Sequence, residues 1–117
     1  MKPLTVDQLK AWMDKKKDFV LVNVLGEEDF RRAHIPGSHN IPVDRDDFTE
    51  EVERLAGSKT GTVVVYCASF DCEASPKPAK KLEEAGFANV YDFEGGIKEW
   101  RKKGHEVERA EEAEVSS

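Results

Sequence analysis

The sequence predicts an α/β fold in which helices cover both faces of a mostly parallel sheet. Two continuous apolar runs, at residues 19–24 and 62–66, are short and rich in β-branched side chains, as is typical of strands buried on both faces. Segments with helical spacing of apolar residues alternate with the predicted strands. The chain has 117 residues, which is enough for one core, so we expect one compact domain.

Start and stop signals define the individual elements. Thr5 and Gln8 have capping-box spacing ahead of the first helix, and Asp46 or Asp47 is the expected cap of the third. Ser75 precedes a proline at the start of the fourth, which is the usual order of a cap and a first-turn proline. The predicted helices cover residues 6–15, 27–33, 76 to 84 or 85, and 97–103. The third helix carries Phe48, Val52 and Leu55 at helical spacing and is stopped by Gly57. The predicted strands cover residues 19–24, 38–41, 62–66 and 89–93.

The charge balance excludes several kinds of partner. The chain has 18 Lys and Arg against 24 Asp and Glu, a formal net charge of −6, which argues against binding to nucleic acid or to an anionic membrane surface. Neither a membrane-spanning apolar run nor a signal peptide is predicted, so we expect a cytoplasmic protein. Residues 1–107 are predicted to form the domain, and the acidic segment 108–117 a mostly disordered tail.

Cys67 is the first candidate for a reactive group. It follows the apolar run 62–66 directly, and ligands in open α/β sheets gather at the carboxyl ends of the strands. A loop that leads from such a strand end into a helix presents backbone N–H groups that stabilise a negatively charged sulfur. A second cysteine, Cys72, follows in the same loop. Two cysteines and scattered histidines lack metal-ligand spacing, so no metal and no cofactor is expected.

The order of these segments resembles that of the single-domain rhodanese-like sulfurtransferases, over residues 4 to about 107. The segments that carry the resemblance are Leu21-Val-Asn-Val24, Ala33-His-Ile-Pro-Gly-Ser-His-Asn-Ile-Pro42, Val64-Val-Tyr-Cys67 and Asn89-Val-Tyr-Asp-Phe-Glu-Gly-Gly-Ile-Lys-Glu-Trp100. The resemblance implies a three-layer α/β/α sandwich and a catalytic cysteine, at the position of Cys67, that carries a sulfane sulfur as a persulfide. It also implies that the loop after this cysteine binds the substrate. The loop residues predicted to do so are Ala68, Ser69, Phe70, Asp71, Glu73, Ala74 and Ser75.

The chain departs from the rhodanese pattern inside this loop. Rhodanese loops commonly close on an arginine that helps to bind an anionic donor, and here the corresponding position is Cys72. Asp71 and Glu73 flank that position, and carboxylates repel thiosulfate, phosphate and arsenate. We therefore expect poor turnover of thiosulfate, and phosphatase or arsenate reductase chemistry is a distant third hypothesis. Asn23 and Leu25 also differ from the rhodanese pattern, which often has aspartate and arginine at these two positions.

Two hypotheses about function follow. In the first, the protein is a sulfurtransferase or persulfide-handling enzyme, Cys67 is the nucleophile and Cys72 a resolving thiol that attacks the modified Cys67. Its partners would be a small sulfur donor and acceptor or a protein persulfide, and the protein a monomer or weak homodimer. In the second, the domain is a catalytically weak or inactive rhodanese-like module for protein interaction or redox sensing. A separate alternative for Cys67 alone is a buried structural thiol, because free cysteine is among the most buried residue types. His34 and His39 are expected to satisfy backbone groups in a turn.

Overall fold

A computed structural model of the chain describes residues 2–68 and 76–109. Five strands and five helices alternate in this part of the chain. The strands are β1 (Lys2–Pro3), β2 (Val20–Asn23), β3 (His39–Asn40), β4 (Thr62–Tyr66) and β5 (Asn89–Phe93). The helices are α1 (Val6–Asp14), α2 (Glu27–Arg32), α3 (Phe48–Ala56), α4 (Pro76–Glu84) and α5 (Gly96–Lys102).

The five strands form one sheet with the order β1-β5-β4-β2-β3, and all four pairings between these described strands are parallel. The predicted α/β class with a parallel sheet is therefore confirmed. β4 occupies the middle position, between β5 and β2. Helices cover both faces of this strand, so its side chains are buried on both sides, which explains the continuous Val63-Val-Val65 run.

Successive residues of β4 face opposite sides of the sheet and belong to two separate cores. Val63 and Val65 pack in a cluster with side chains of α3 and α4, whereas Val64 and Tyr66 pack in a second cluster with side chains of α1 and α5. The period of two along the strand thus divides the apolar side chains between two helical layers. The result is the predicted three-layer α/β/α sandwich.

The helix signals are confirmed in part. The Thr5 hydroxyl accepts a hydrogen bond from the Gln8 N–H at 3.1 Å, and the Gln8 side chain accepts one from the Thr5 N–H at 2.9 Å, so the capping box at α1 is complete. Asp47 occupies the cap position of α3, but its carboxylate accepts two hydrogen bonds from the Arg45 guanidinium and none from the helix. The capping role predicted for Ser75 falls outside the described residues.

Two further differences concern the ends of the chain. The short strand β1 was not predicted; Lys2 and Pro3 pair with Tyr91 and Asp92 of β5, and two residues carry no detectable hydrophobic period. Near the other end, Glu108 exchanges two backbone hydrogen bonds with His34, of 3.0 and 2.8 Å. The tail predicted from residue 108 therefore has its first residue in contact with the domain, and residues 110–117 lie outside the description. None of the described helices is long and apolar enough to cross a membrane.

Candidate active site

The candidate site lies at the carboxyl ends of β2 and β4. These strands are paired in register, with Asn23 opposite Tyr66, and the Val24 N–H continues the pairing by donating to the Tyr66 carbonyl oxygen at 3.1 Å. Val24 and Cys67 both belong to the core cluster on the side of α3 and α4. The end of β2 therefore lies beside Cys67. This edge of a parallel sheet is where ligands bind in open α/β folds.

Cys67 is buried, with 1% of its surface exposed, and its sulfur is disulfide-bonded. None of the cysteines in the described part of the chain is a free thiol. The only other cysteine in the sequence is Cys72, which lies outside the described residues. A disulfide at this position removes the thiolate that nucleophilic chemistry needs, so the chemistry of Cys67 depends on its oxidation state.

The first turn of α5 holds the backbone around Cys67. The Ile97 N–H donates to the Cys67 carbonyl oxygen at 3.1 Å, and the Lys98 N–H donates to the Ala68 carbonyl oxygen at 2.8 Å. Amides at the start of a helix lack partners within the helix and need acceptors elsewhere. These two hydrogen bonds fix the main chain where it leaves the sheet. They also hold the start of α5, which follows the Gly95-Gly96 turn, at this edge.

A buried polar network surrounds the hydroxyl of Tyr66, the residue that precedes Cys67. This hydroxyl accepts hydrogen bonds from the Asn23 side-chain amide at 3.1 Å and from the Ile35 N–H at 3.0 Å. It lies 2.8 Å from the Ser38 hydroxyl, which itself donates to the Ile35 carbonyl oxygen at 2.7 Å. Tyr66 therefore donates to Ser38, and each polar atom has a partner. Burial raises the pKa of Tyr66, and the three hydrogen bonds reduce that increase.

The two histidines of the turn lie in different environments. His34 is buried, and its Nδ1 lies 2.8 Å from the Phe30 carbonyl oxygen while its ring stacks on the Phe30 ring. His39 is exposed on β3. The interpretation of His34 as a residue that satisfies a backbone group is confirmed, and the turn contributes to the site through Ile35 and Ser38.

Most of the predicted substrate-binding loop falls outside the described residues. This applies to Ser69, Phe70, Asp71, Cys72, Glu73, Ala74 and Ser75. Ala68 is described and exposed. On α4, the Lys81 ammonium group donates to the Val43 carbonyl oxygen at 3.0 Å. The roles of the loop residues stay predictions.

A cleft beside Ala68 was not found from the sequence. It has a volume of about 460 Å³, and we call it the cationic cleft because Arg32, Lys98 and Arg101 line it. The other described residues that line it are Leu25, Asp29, Ala33, Ala68 and Ile97. Lys98 and Arg101 are three positions apart on α5, a spacing that places them on one face and was visible in the sequence. That Arg32 of α2 lies opposite them depends on the tertiary structure.

The comparisons with known proteins agree with this architecture. Residues 5–103 match the model of the rhodanese-like domain, and the chain belongs to that family. It is similar to the BH2092 protein from Bacillus halodurans, a solved structure, with 29% identity and a TM-score of 0.82, over 93% of this chain and 77% of that one. The family supports sulfurtransferase-type chemistry in general, while its members differ in their particular roles.

The curated relatives illustrate that variety. The chain is 30% identical to the HTH-type transcriptional regulator Rv0324 of Mycobacterium tuberculosis, over 78% of this chain and 38% of the relative. It is 29% identical to the tRNA uridine(34) hydroxylase of Yersinia pestis, over 88% of this chain and 29% of the relative. The chain thus spans well under half the length of these relatives, so their whole-protein activities do not transfer directly.

Proposed function

We propose that this chain is a rhodanese-type sulfurtransferase or persulfide-handling enzyme in which Cys67 carries a sulfane sulfur. The observation that carries the proposal is the position of Cys67, at the carboxyl end of the central strand of a rhodanese-like domain. Two amides of α5 and the Tyr66 network hold the backbone on both sides of this residue. A fixed backbone positions a nucleophile for attack at low entropic cost.

In the transfer half-reaction, the Cys67 thiolate attacks the outer sulfur of a donor persulfide, R–S–SH. The donor S–S bond breaks, the thiolate R–S⁻ leaves, and Cys67 becomes Cys–S–SH. An acceptor thiolate then attacks the outer sulfur of this persulfide, which regenerates the Cys67 thiolate. No net oxidation occurs, and the covalent intermediate predicts ping-pong kinetics. The donor is a small persulfide or a protein-borne one.

Cys72 is the proposed resolving thiol. Its thiolate attacks the Cys67 sulfur of the persulfide, the Cys67–Cys72 disulfide forms, and hydrosulfide leaves with the electron pair of the broken S–S bond. The disulfide at Cys67 supports this step, since Cys72 is the only other cysteine in the sequence. A thiol or dithiol reductant must then supply two electrons to restore both thiols, so the oxidised form is a resting state.

Intact-mass measurement tests both roles. The protein is first reduced, then treated with an organic persulfide and quenched without reductant. We expect the Cys72→Ser variant to gain about 32 Da as one sulfur, and the wild type to lose about 2 Da as a disulfide forms. The Cys67→Ser variant should show neither change. Full sulfur transfer by Cys67→Ser would show that the nucleophile lies elsewhere.

A second function is favoured by the burial of Cys67 and its disulfide. A domain in which this thiol is closed off and oxidised serves as a redox-sensing or interaction module without turnover. Such a module forms the disulfide with an oxidant but never passes sulfur to an acceptor. Measuring acceptor persulfide after one cycle of reduction and donor addition separates the two functions, because only the enzyme produces it.

A further inference from the structure

We propose that residues 110–117, which we call the acidic segment, bind in the cationic cleft of their own chain. The glutamates of the segment neutralise the cations that line the cleft. Ala33 and Ile97 of the cleft belong to the apolar cluster on the side of α1 and α5, whereas the Cys67 side chain packs on the side of α3 and α4. Binding of the segment is therefore independent of the proposed sulfur transfer.

The chain that leads into the acidic segment is fixed beside the cleft. The Trp100 indole N–H donates to the Glu106 carbonyl oxygen at 2.7 Å. Val107 packs against the same apolar cluster that supplies two walls of the cleft. Glu108 exchanges backbone hydrogen bonds of 3.0 and 2.8 Å with His34. Three successive residues thus hold the starting point of the segment on this side of the sheet.

The bridge between His34 and Glu108 sets the direction in which the chain continues. It is antiparallel, so the residue that follows Glu108 runs alongside the residue that precedes His34. The residues that precede His34 are Ala33 and Arg32, and both line the cleft. An extended chain advances about 3.4 Å per residue, so Glu111 is within about 10 Å of Glu108 and in reach of the cleft.

The charges of the cleft and of the acidic segment are complementary. Three cations and one acid, Asp29, line the cleft and leave it a net charge of +2, while the segment has three glutamates and no cation. Arg32, Lys98 and Arg101 are exposed, and no carboxylate within residues 2–68 and 76–109 forms an ion pair with any of them. Guanidinium groups bind carboxylates through paired, charge-assisted hydrogen bonds.

The covalent link favours this occupant over a separate acidic partner. Single exposed ion pairs are weak, but a short tether gives an effective concentration in about the millimolar range. In an extended segment alternate side chains share one side, which places Glu112 and Glu114 together with only the small Ala113 between them. Composition alone predicts a disordered tail, because composition does not register a cationic surface beside the point where the tail begins.

Backbone dynamics of the full-length protein test the binding without any change to the cysteines. By ¹⁵N relaxation, the order parameters of residues 111–114 should stay above about 0.6 at low salt and fall below that value in about 0.5 M salt, which screens exposed charges. Arg32→Gln with Arg101→Gln should lower them at low salt. Lys102→Gln with Lys103→Gln removes the same charge outside the cleft and should leave them unchanged.

A spin label then locates the segment. Ser117→Cys is introduced into the full chain with both native cysteines replaced by serine, and the single thiol is labelled. Amide signals of the three cleft cations should lose intensity, and those of α4, on the other side of the sheet, should not. Replacing the three glutamates with glutamine should restore the lost intensity. The melting temperature of each variant confirms folding.

Three results would overturn the assignment. The first is order parameters that respond neither to salt nor to the arginine variants. The second is signal loss on α4 as strong as at the cleft. The third is signal loss at the cleft in a mixture of ¹⁵N-labelled chains with separate spin-labelled chains, because the segment then binds a second copy. Signal loss that is confined to the cleft, independent of dilution and dependent on the glutamates supports binding within one chain.

Discussion

The hydroxyl groups of Tyr66 and Ser38 lie 2.8 Å apart and join the central strand to the turn between α2 and β3. Tyr66 immediately precedes Cys67, the proposed nucleophile, so the backbone at Cys67 is coupled to that turn. The Tyr66 hydroxyl also accepts a hydrogen bond from the side-chain amide of Asn23 on β2. One buried phenol therefore ties together three segments that approach the site from different parts of the chain.

Replacing Tyr66 with phenylalanine should destabilise the protein by about 1–3 kcal/mol, because the Ile35 N–H and the Asn23 amide lose a buried acceptor. The measurement is urea denaturation of the reduced protein. Tyr91, the other tyrosine, is only half-buried and serves as the control: Tyr91→Phe should change stability by much less. Equal effects of the two variants would mean that the network contributes nothing beyond packing.

The free energy of unfolding should fall at alkaline pH because of Tyr66. The pKa of Tyr66 is raised above the ordinary value of 10.0 by burial, so the folded protein retains the phenol proton at a pH where the unfolded chain loses it. Unfolding is therefore favoured as the pH rises above about 10, and the contribution of the neutral phenol is intact below that value. The difference in unfolding free energy between wild type and Tyr66→Phe, followed from pH 8 to about 11, should shrink as the pH rises.

Thiosulfate should be a poor donor for the reduced protein. The loop sequence has Cys72 where the rhodanese pattern has arginine, with Asp71 and Glu73 beside it, and these charges repel an anion. Thiosulfate:cyanide transfer is compared with transfer from an organic persulfide. Cys72→Arg should raise the rate with thiosulfate, since it restores a cation at the family position. Thiosulfate turnover by the wild type at the rate of an arginine-containing rhodanese would contradict this expectation.

The capping box at α1 gives a prediction about stability that is independent of the site. Thr5→Ala removes the acceptor for the Gln8 N–H and should cost about 1 kcal/mol, the usual effect of losing a helix cap. Thr5→Ser retains a hydroxyl at the same position and should preserve most of the stability. Thermal and urea denaturation both report the difference, and sulfur transfer should be unchanged in either variant.

The fold was largely predictable because its signals are local. Each of these signals acts through neighbouring residues. The structure confirms a strand at the β-branched run before Cys67 and a capping box at Thr5 and Gln8. Gly57 ends α3 in the left-handed backbone conformation. β1 was missed because its two residues are stabilised by pairing with β5, a contact between distant parts of the chain.

The sequence by itself determined the α/β class, the order of its elements and the position of Cys67 at a strand end, since hydrophobic period and turn residues encode these features. Only the tertiary structure decided what surrounds that position. The acceptor role of the Tyr66 hydroxyl depends on three segments that meet in space. The juxtaposition of Arg32 with Lys98 and Arg101 depends on how α2 and α5 pack at one edge of the sheet. Arg32 lies far from Lys98 and Arg101 in the sequence. These basic residues line one cleft because the packing of α2 and α5, and not the spacing in the sequence, sets the distance between the two helices.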